Sequence, residues 1–306
     1  MTDIRELVVI SGKGGTGKTS IVAAFAALAG TSVLADCDVD TADLHLVLRP
    51  EQGPEQPFSG RHTAVIDAYA CTSCGRCAEV CRFAAVLGTD SGKFAIDSIA
   101  CEGCELCRRV CPSDAIAMQP VVNGVWMVSE TRRGPLVHAR LGVAEDNSGK
   151  LVSIVRTEAR RVAERRGLLL VIVDGAPGIG CPVIASLSGA DLVLAVTEPT
   201  VSGRHDLDRV VQVVRQFRLP FAVCVNKADL DPRFSAQMVA EATANGAVFT
   251  TTVDFDPAVT HAQVAGTDVI DFGGPAAVEI TKLWEAIGDS LQMNHQREAL
   301  HNETRP

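Results

Sequence analysis

Short apolar runs recur along the chain and mark where strands are to be expected. Leu7 to Ile10 and Thr31 to Ala35 read as buried strands, as do the apolar parts of Asp191 to Thr200 and Phe221 to Leu230. Leu168 to Gly178 opens on a run that is hydrophobic on both faces, which predicts a central strand of a parallel sheet. Between these runs the spacing becomes helical. Ser20 to Ala29 is apolar and alanine-rich, a helix capped by Asn147 or Ser148 is predicted to reach Arg166, and a polar helix with leucine and valine at helical spacing is predicted to end at Arg218. Ala247 to Gly266 reads as a last strand followed by a proline-containing loop. A final helix ends near Leu291, and a polar tail follows. Strands alternating with helices define an α/β fold with a mostly parallel central sheet.

One stretch breaks this rhythm. Arg49 to Gly60 is rich in Pro, Gln, Gly and Glu and reads as a loop or linker. Beyond it, VIDAYACTSCGRCAEVC (Val65 to Cys81) aligns with AIDSIACEGCELCRRVC (Ala95 to Cys111) at an offset of 30 residues. Each half predicts a short strand, a cysteine loop and a short helical turn, so the repeat is a small α+β domain inserted into the larger one. Asn123-Gly124 is a hairpin signal at its far side, and Gly134 to Leu141 reads as a buried strand or edge with His138 in a structural role. The expected division is therefore 1–60 and 129–292 for the large domain, 61–128 for the insert and 293–306 for the tail.

The chemistry begins where the first strand ends. Leu7 to Ile10 runs into GKGGTGKT, Gly12 to Thr19, and a helix follows at once, which is the strand, glycine loop and helix order of a phosphate-binding Walker A loop. Glycines allow backbone N–H groups to turn toward an anion, Lys18 supplies an ammonium for phosphate and Thr19 a hydroxyl for Mg2+. The candidate nucleotide contacts are Gly12, Gly14, Gly15, Thr16, Gly17, Lys18, Thr19 and Ser20. Asp36, Asp38, Asp40 and Asp43 follow the second strand, where ligands bind in open α/β sheets. Asp38 is the one read as facing nucleotide or water, while Asp40 or Asp43 also fits a plain helix cap. Asp174 ends the central strand at the Walker B position, and Gly175 to Gly180 forms a candidate switch loop ahead of Cys181. Asn226, Lys227 and Asp229 match the base-reading N-K-x-D pattern of GTPases, although an Asn here also suits an ATPase. The loop holding Pro257 is placed against the base.

The chain has 11 cysteines. Cys37 and Cys224 fall inside apolar runs and read as core thiols. Cys71, Cys74, Cys77 and Cys81 form C-x2-C-x2-C-x3-C, and Cys101, Cys104, Cys107 and Cys111 repeat it with Pro112 after the last, whereas Arg82 takes that place in the first run. In the two-cluster bacterial ferredoxin pattern the fourth cysteine of each run ligates the other centre. The expected sets are Cys71, Cys74, Cys77 and Cys111 for one [4Fe-4S] cluster, and Cys101, Cys104, Cys107 and Cys81 for the other. Paired C-x2-C motifs also hold zinc, and Cys181 leaves room for a third, bridging cluster.

Composition narrows the class further. Across 306 residues, 47% hydrophobic and 21% charged positions describe a globular protein rather than a disordered one. A net charge of -9 argues against nonspecific nucleic-acid binding. With no apolar stretch near the length of a membrane span and no signal peptide, the expected location is the cytoplasm, where metal ligation explains many cysteines better than disulfides do.

Lys13 ahead of Gly14-Gly15-Thr16-Gly17-Lys18-Thr19, with Asp36-x-Asp38, Asp174 and Gly178, and the late Asn226 and Pro257, resembles the deviant Walker A group. That group includes MinD and ParA partitioning ATPases, Mrp-type iron–sulfur carriers and the nitrogenase iron protein. From Glu6 to Leu291 the chain resembles MinD-superfamily ATPases with an inserted ferredoxin domain. The resemblance implies an ATP-dependent homodimer with two ATP at its interface. It also implies catalytic roles for four residues: Lys13 crossing to the partner's nucleotide, Lys18 on the β and γ phosphates, Asp38 orienting or activating water, and Asp174 supporting Mg2+ through water. Asp36 and Asp40 are weaker candidates in the first switch. The polar tail lacks an amphipathic membrane-binding segment, so stable membrane association is not expected. The expected function is ATP hydrolysis coupled through dimer switching to electron transfer or docking of a redox or iron–sulfur partner. An iron–sulfur assembly or carrier ATPase and a non-enzymatic nucleotide-switched sensing scaffold are the alternatives.

Overall fold

The structure, a computed structural model, describes residues 4–142 and 148–303, with backbone alone at position 148 and over 293–303. The chain divides into two units. One comprises the segments up to Glu55, Trp126–Arg140 and from Ser148 onward, and the other holds Gln56–Val125 and continues from Leu141.

In the first unit, β1 (Arg5–Ser11) leads into α1 (Lys18–Leu28) and β2 (Val33–Asp36). After the insert come β3 (Gly134–Leu141), α2 (Ser148–Arg166), β4 (Leu170–Pro177), α3 (Cys181–Leu187), β5 (Leu192–Thr197) and α4 (Val201–Gln216). They are followed by β6 (Phe221–Asn226), α5 (Pro232–Ala244), β7 (Thr250–Val253), α6 (Pro257–Ala265) and α7 (Pro275–Glu303). These seven strands lie side by side in the order β7-β6-β5-β1-β4-β2-β3, each neighbouring pair parallel, and the sheet continues beyond β3 through the strand Gly124–Thr131. The apolar runs explain the arrangement. Leu7, Val8, Val9 and Ile10 of β1 are all fully buried, as a strand covered on both faces must be. α1 is buried almost all round, and Phe25 meets the Trp284 ring of α7 at 5.1 Å between centroids. One large core joins α1 and α7 to the sheet.

Three local expectations change. The segment after β7 is not a loop: Asp256 accepts from Ala258 N–H and Pro257 occupies the first turn, so an Asp-Pro pair starts a helix. α7 runs on to Glu303, past the end expected near Leu291. The charged stretch of α2 is not simply a solvated face, because Arg156 is buried and, with Arg160, grips the buried Glu6 of β1. The Asn147 cap lies outside the described residues.

In the second unit, Arg61–Ile66 pairs antiparallel with Ile116–Val121, and Val86–Gly88 with Phe94–Ile96. Asn123-Gly124 therefore turns no hairpin, since the strand before it is already paired to the start of the insert. Asn123 instead accepts from Gly60 N–H at 2.6 Å and donates its own N–H to Phe58 O at 2.9 Å. The sequence repeat is a backbone repeat. Left-handed residues recur at Ser73 and Gly103, Gly75 and Glu105, and Ala84 and Asp114, each pair 30 residues apart. Asp67 and Asp97 likewise make the same turn, accepting from Tyr69 N–H and Ile99 N–H, and leave those two apolar side chains exposed.

Candidate functional site

A cavity of about 350 Å³ opens at the carboxyl ends of the parallel strands, walled by Gly14 to Ser20, the acids after β2 and the ends of β4, β6 and β7. β1 sits between β4 and β5, so the chain leaves it at the point where the strand order reverses, the expected ligand crevice of such a sheet. Gly15 and Gly17 have φ of 81° and 91°, which the loop needs to fold back on itself. Gly17 caps α1 with no side-chain hydrogen bond, so the first-turn N–H groups keep no partner within the helix.

Lys18, only 6% exposed, bonds Asp174 Oδ1 at 2.5 Å and approaches Asp38 Oδ2 at 3.5 Å. Asp36 is fully buried and accepts from the N–H groups of Asp38 and Leu44, which shapes the turn carrying Asp38. Burial pushes the Asp36 and Asp38 carboxyls above the usual range while Lys18 pulls both down. At Lys18 burial lowers the value, but Asp174 and Asp38 outweigh it and hold the ammonium charged. Two buried oxygens here, Asp174 Oδ2 and Thr16 Oγ1, have no hydrogen-bond partner among the described residues.

The opposite wall fixes the glycine loop. Asn226 Nδ2 donates to Thr16 O at 2.7 Å, and Lys227 Nζ donates to Gly15 O at 3.0 Å. A Cβ on Gly17 would lie 2.3 Å from Asn226 Nδ2. Asp229 accepts from Phe255 N–H at 2.6 Å, so the last member of the N-K-x-D pattern is occupied in holding a loop. Lys13 stands apart: its Nζ bonds Glu198 Oε1 at 2.6 Å and Ser202 Oγ at 3.2 Å.

Of the residues singled out from sequence, Gly14 to Ser20, Asp38 and Asn226 line the cavity and Asp174 lies behind Lys18. Gly12, Lys13 and Pro257 are not in its wall. Asp40 is exposed, and Asp43 precedes the short helix Leu44–Leu48 without a side-chain capping bond. Sequence reasoning missed Thr41, Thr260, Gln263 and Glu198. Gln263 donates to Ser20 Oγ at 2.7 Å from a helix that had been read as a loop. Glu198 had a signal, an acid just beyond a buried strand, the same placement that marked Asp174.

The cysteine expectation is corrected. Among the described residues no group of three or more His, Cys, Asp or Glu side chains is disposed to hold a metal ion. The two [4Fe-4S] centres assigned to Cys71, Cys74, Cys77 and Cys111 and to Cys101, Cys104, Cys107 and Cys81 are therefore not supported, and neither is zinc. The thiols occupy unlike environments: Cys77 and Cys101 belong to the small apolar core, whereas Cys74 and Cys104 face outward. Cys71, Cys81 and Cys111 accept backbone N–H bonds from Ser73, Ala85 and Ala115 at 3.3–3.4 Å. Cys181 is exposed, and Cys37 and Cys224 are core thiols as expected.

A glycine loop between β1 and α1, acids at neighbouring strand ends and a second unit inserted between β2 and β3 define the fold class: that of the MinD- and ParA-like P-loop proteins, with an inserted domain. The fold is similar to the cell division ATPase MinD of Pyrococcus furiosus, with a TM-score of 0.55 and 17% identity over 94% of this chain and 99% of that one. It is also similar to the septum site-determining protein MinD of Pyrococcus horikoshii complexed with Mg-ADP, with a TM-score of 0.56 and 14% identity over 95% and 98%. Residues 64–118 match the family model for a 4Fe-4S dicluster domain. The chain belongs to the family of Uncharacterized protein MJ0578 of Methanocaldococcus jannaschii, to which it is 33% identical over 232 residues, 74% of this chain and 80% of that protein.

Proposed function

We propose that the protein is a cytoplasmic ATPase, converting ATP and water to ADP and phosphate, and that pairing of two copies around nucleotide switches the docking of the inserted domain to a redox partner. The observation that carries the reading is the Lys18–Asp174 pair at the floor of the glycine-lined cavity, beside the unpartnered Asp174 Oδ2 and Thr16 Oγ1. Those orphaned oxygens and the open helix start fit a bound phosphate and its Mg2+.

In this reading Gly12 and Gly14 to Ser20 cradle the phosphates, and Lys18 moves from carboxylate to the β and γ oxygens. Thr19 would hold Mg2+ through its hydroxyl and Asp174 would support it through water, since Mg2+ keeps several of its waters and needs few protein ligands. Bound Mg2+ supplies neutralisation of phosphate charge. Asp38 orients or activates the attacking water, Lys13 reaches the nucleotide of the second copy, and Asn226 and the start of α6 at Pro257 shape the base end. Phosphoryl transfer to water requires positioning and charge stabilisation, with no covalent bond to the protein. The similarity of residues 64–118 to a dicluster domain supports a redox protein as the docking partner. Sedimentation velocity with and without MgATP tests the pairing: the wild type is expected to shift to a dimer with MgATP and Lys13→Ala to remain monomeric, whereas equal behaviour of the two overturns it.

A further inference from the structure

The described residues place three lysines around the glycine loop, and they are held in different ways. Lys18 is buried among acids, while Lys13 and Lys227 share one carboxylate. Glu198 Oε1 takes Lys13 at 2.6 Å and Oε2 takes Lys227 at 3.2 Å. The carboxylate is firmly placed. It follows β5, and the turn after it is locked by Thr200, which caps α4 by accepting from Gly203 N–H at 2.9 Å, and by Thr197 Oγ1, which donates to Gly203 O at 3.0 Å. Ser202, in the first turn of α4, adds its hydroxyl to the Lys13 ammonium.

Lys227 reaches Glu198 from a left-handed conformation, φ 57°, which a lysine adopts only when its surroundings impose it. Its Nζ simultaneously holds Gly15 O at 3.0 Å. Burial raises the Glu198 carboxyl, but the bonds from Lys13 and Lys227 outweigh this and hold it ionised below the usual range.

We infer that Glu198 is a positioning residue that restrains Lys13 outside the cavity and Lys227 against the glycine loop, so that the polyphosphate held by a second copy must take Lys13 from it. The inference rests on the reading of the cavity as a nucleotide site. The exchange is one of counter-ions and breaks no covalent bond. Glu198 therefore tunes affinity: the carboxylate competes with phosphate for the same ammonium, and neutralising it leaves two lysines at the loop with no carboxylate between them.

The test has two arms. In the first, without nucleotide, lysine reactivity toward acetic anhydride is read by peptide mass spectrometry in the wild type and in Glu198→Gln. Lys13 is expected to label several-fold faster in the variant; an unchanged rate overturns the inference whatever the cavity binds. In the second, calorimetry measures MgATP binding at low and moderate salt. Glu198→Gln is expected to bind roughly twofold to fivefold more tightly, the scale of a partly exposed ion pair, with the gain shrinking as salt rises. A residue that only braced the turn would weaken binding when changed, so equal or weaker binding overturns the inference. The gain is expected to disappear in a Lys13→Gln background, and persistence there also overturns it. Failure of the wild type to bind MgATP refutes the nucleotide reading instead, and the labelling arm still decides the restraint on Lys13.

Discussion

Replacing Lys18 with methionine removes the cation that the structure brings against three buried or nearly buried acids. Asp36 is 0% exposed, Asp174 1% and Asp38 9%. Methionine keeps most of the stem volume, so the change isolates the charge. Lys18 lies 2.5 Å from Asp174 and 3.5 Å from Asp38. Removing one partner of a buried pair leaves the other charge uncompensated and costs about 3–5 kcal/mol. For a chain of this size each kcal/mol lowers Tm by about 2–4 °C, so a fall of roughly 6–20 °C is expected in calorimetry. The pH dependence has a definite sign. Burial already raises the Asp36 and Asp38 carboxyls, and Lys18 opposes that rise; without it they rise further. An acid whose folded value exceeds its unfolded one destabilises the fold above the folded value, and the loss disappears as pH falls toward the unfolded value. The Tm gap between Lys18→Met and wild type is therefore expected to be wide at pH 8 and narrower at pH 5, and pairing the change with Asp174→Asn is expected to restore part of the stability. A gap below 2 °C that ignores pH would refute the assignment of Lys18 as counter-ion to this cluster.

Gly17→Ala places a Cβ 2.3 Å from Asn226 Nδ2 in a residue with φ 91°. Left-handed strain and a lost hydrogen bond together cost about 2–3 kcal/mol, so MgATP affinity is expected to fall roughly 30- to 150-fold in calorimetry while the fold persists; unchanged affinity contradicts the placement of phosphate on this loop. His138, buried beside Ser129 Oγ at 2.8 Å, is pushed down to about 4 by burial and by His45. Its folded value lies below its unfolded one, so the unfolded chain takes the proton first and stability is lost as pH falls from about 6.5 toward 4, by up to about 2–3 kcal/mol. His138→Phe is expected to flatten the denaturation profile over that window, and an identical slope in both proteins counts against the assignment.

The large-domain architecture was legible because buried parallel strands declare themselves as apolar runs: Leu7 to Ile10 and Val171 to Val173 could face only other protein. The glycine loop was legible for a different reason, since its residue types are dictated by backbone shape and phosphate chemistry together. What sequence could not show was long-range commitment of polar side chains. Asn226 looked like a base reader, yet it bonds Thr16 O across a sequence distance of 210 residues. Nor could sequence show that Lys13 bonds Glu198, 185 positions further along the same chain. In the insert the spacing of the cysteines repeats, and so does the backbone, but repeated spacing did not place their sulfurs as a metal-binding group among the described residues. Helix α6 reads from sequence as a proline-containing loop; preceded by the capping Asp256, Pro257 instead starts a helix.

Phosphate release from ATP tests the central claim most directly. With Mg2+ present, the wild type is expected to release phosphate continuously, with the activity abolished by chelating the metal and absent from Lys18→Met assayed at a temperature where that variant is folded. Wild-type protein that releases no phosphate above the buffer rate, or a folded Lys18→Met that turns over at the wild-type rate, would contradict the assignment of ATP hydrolysis to this cavity.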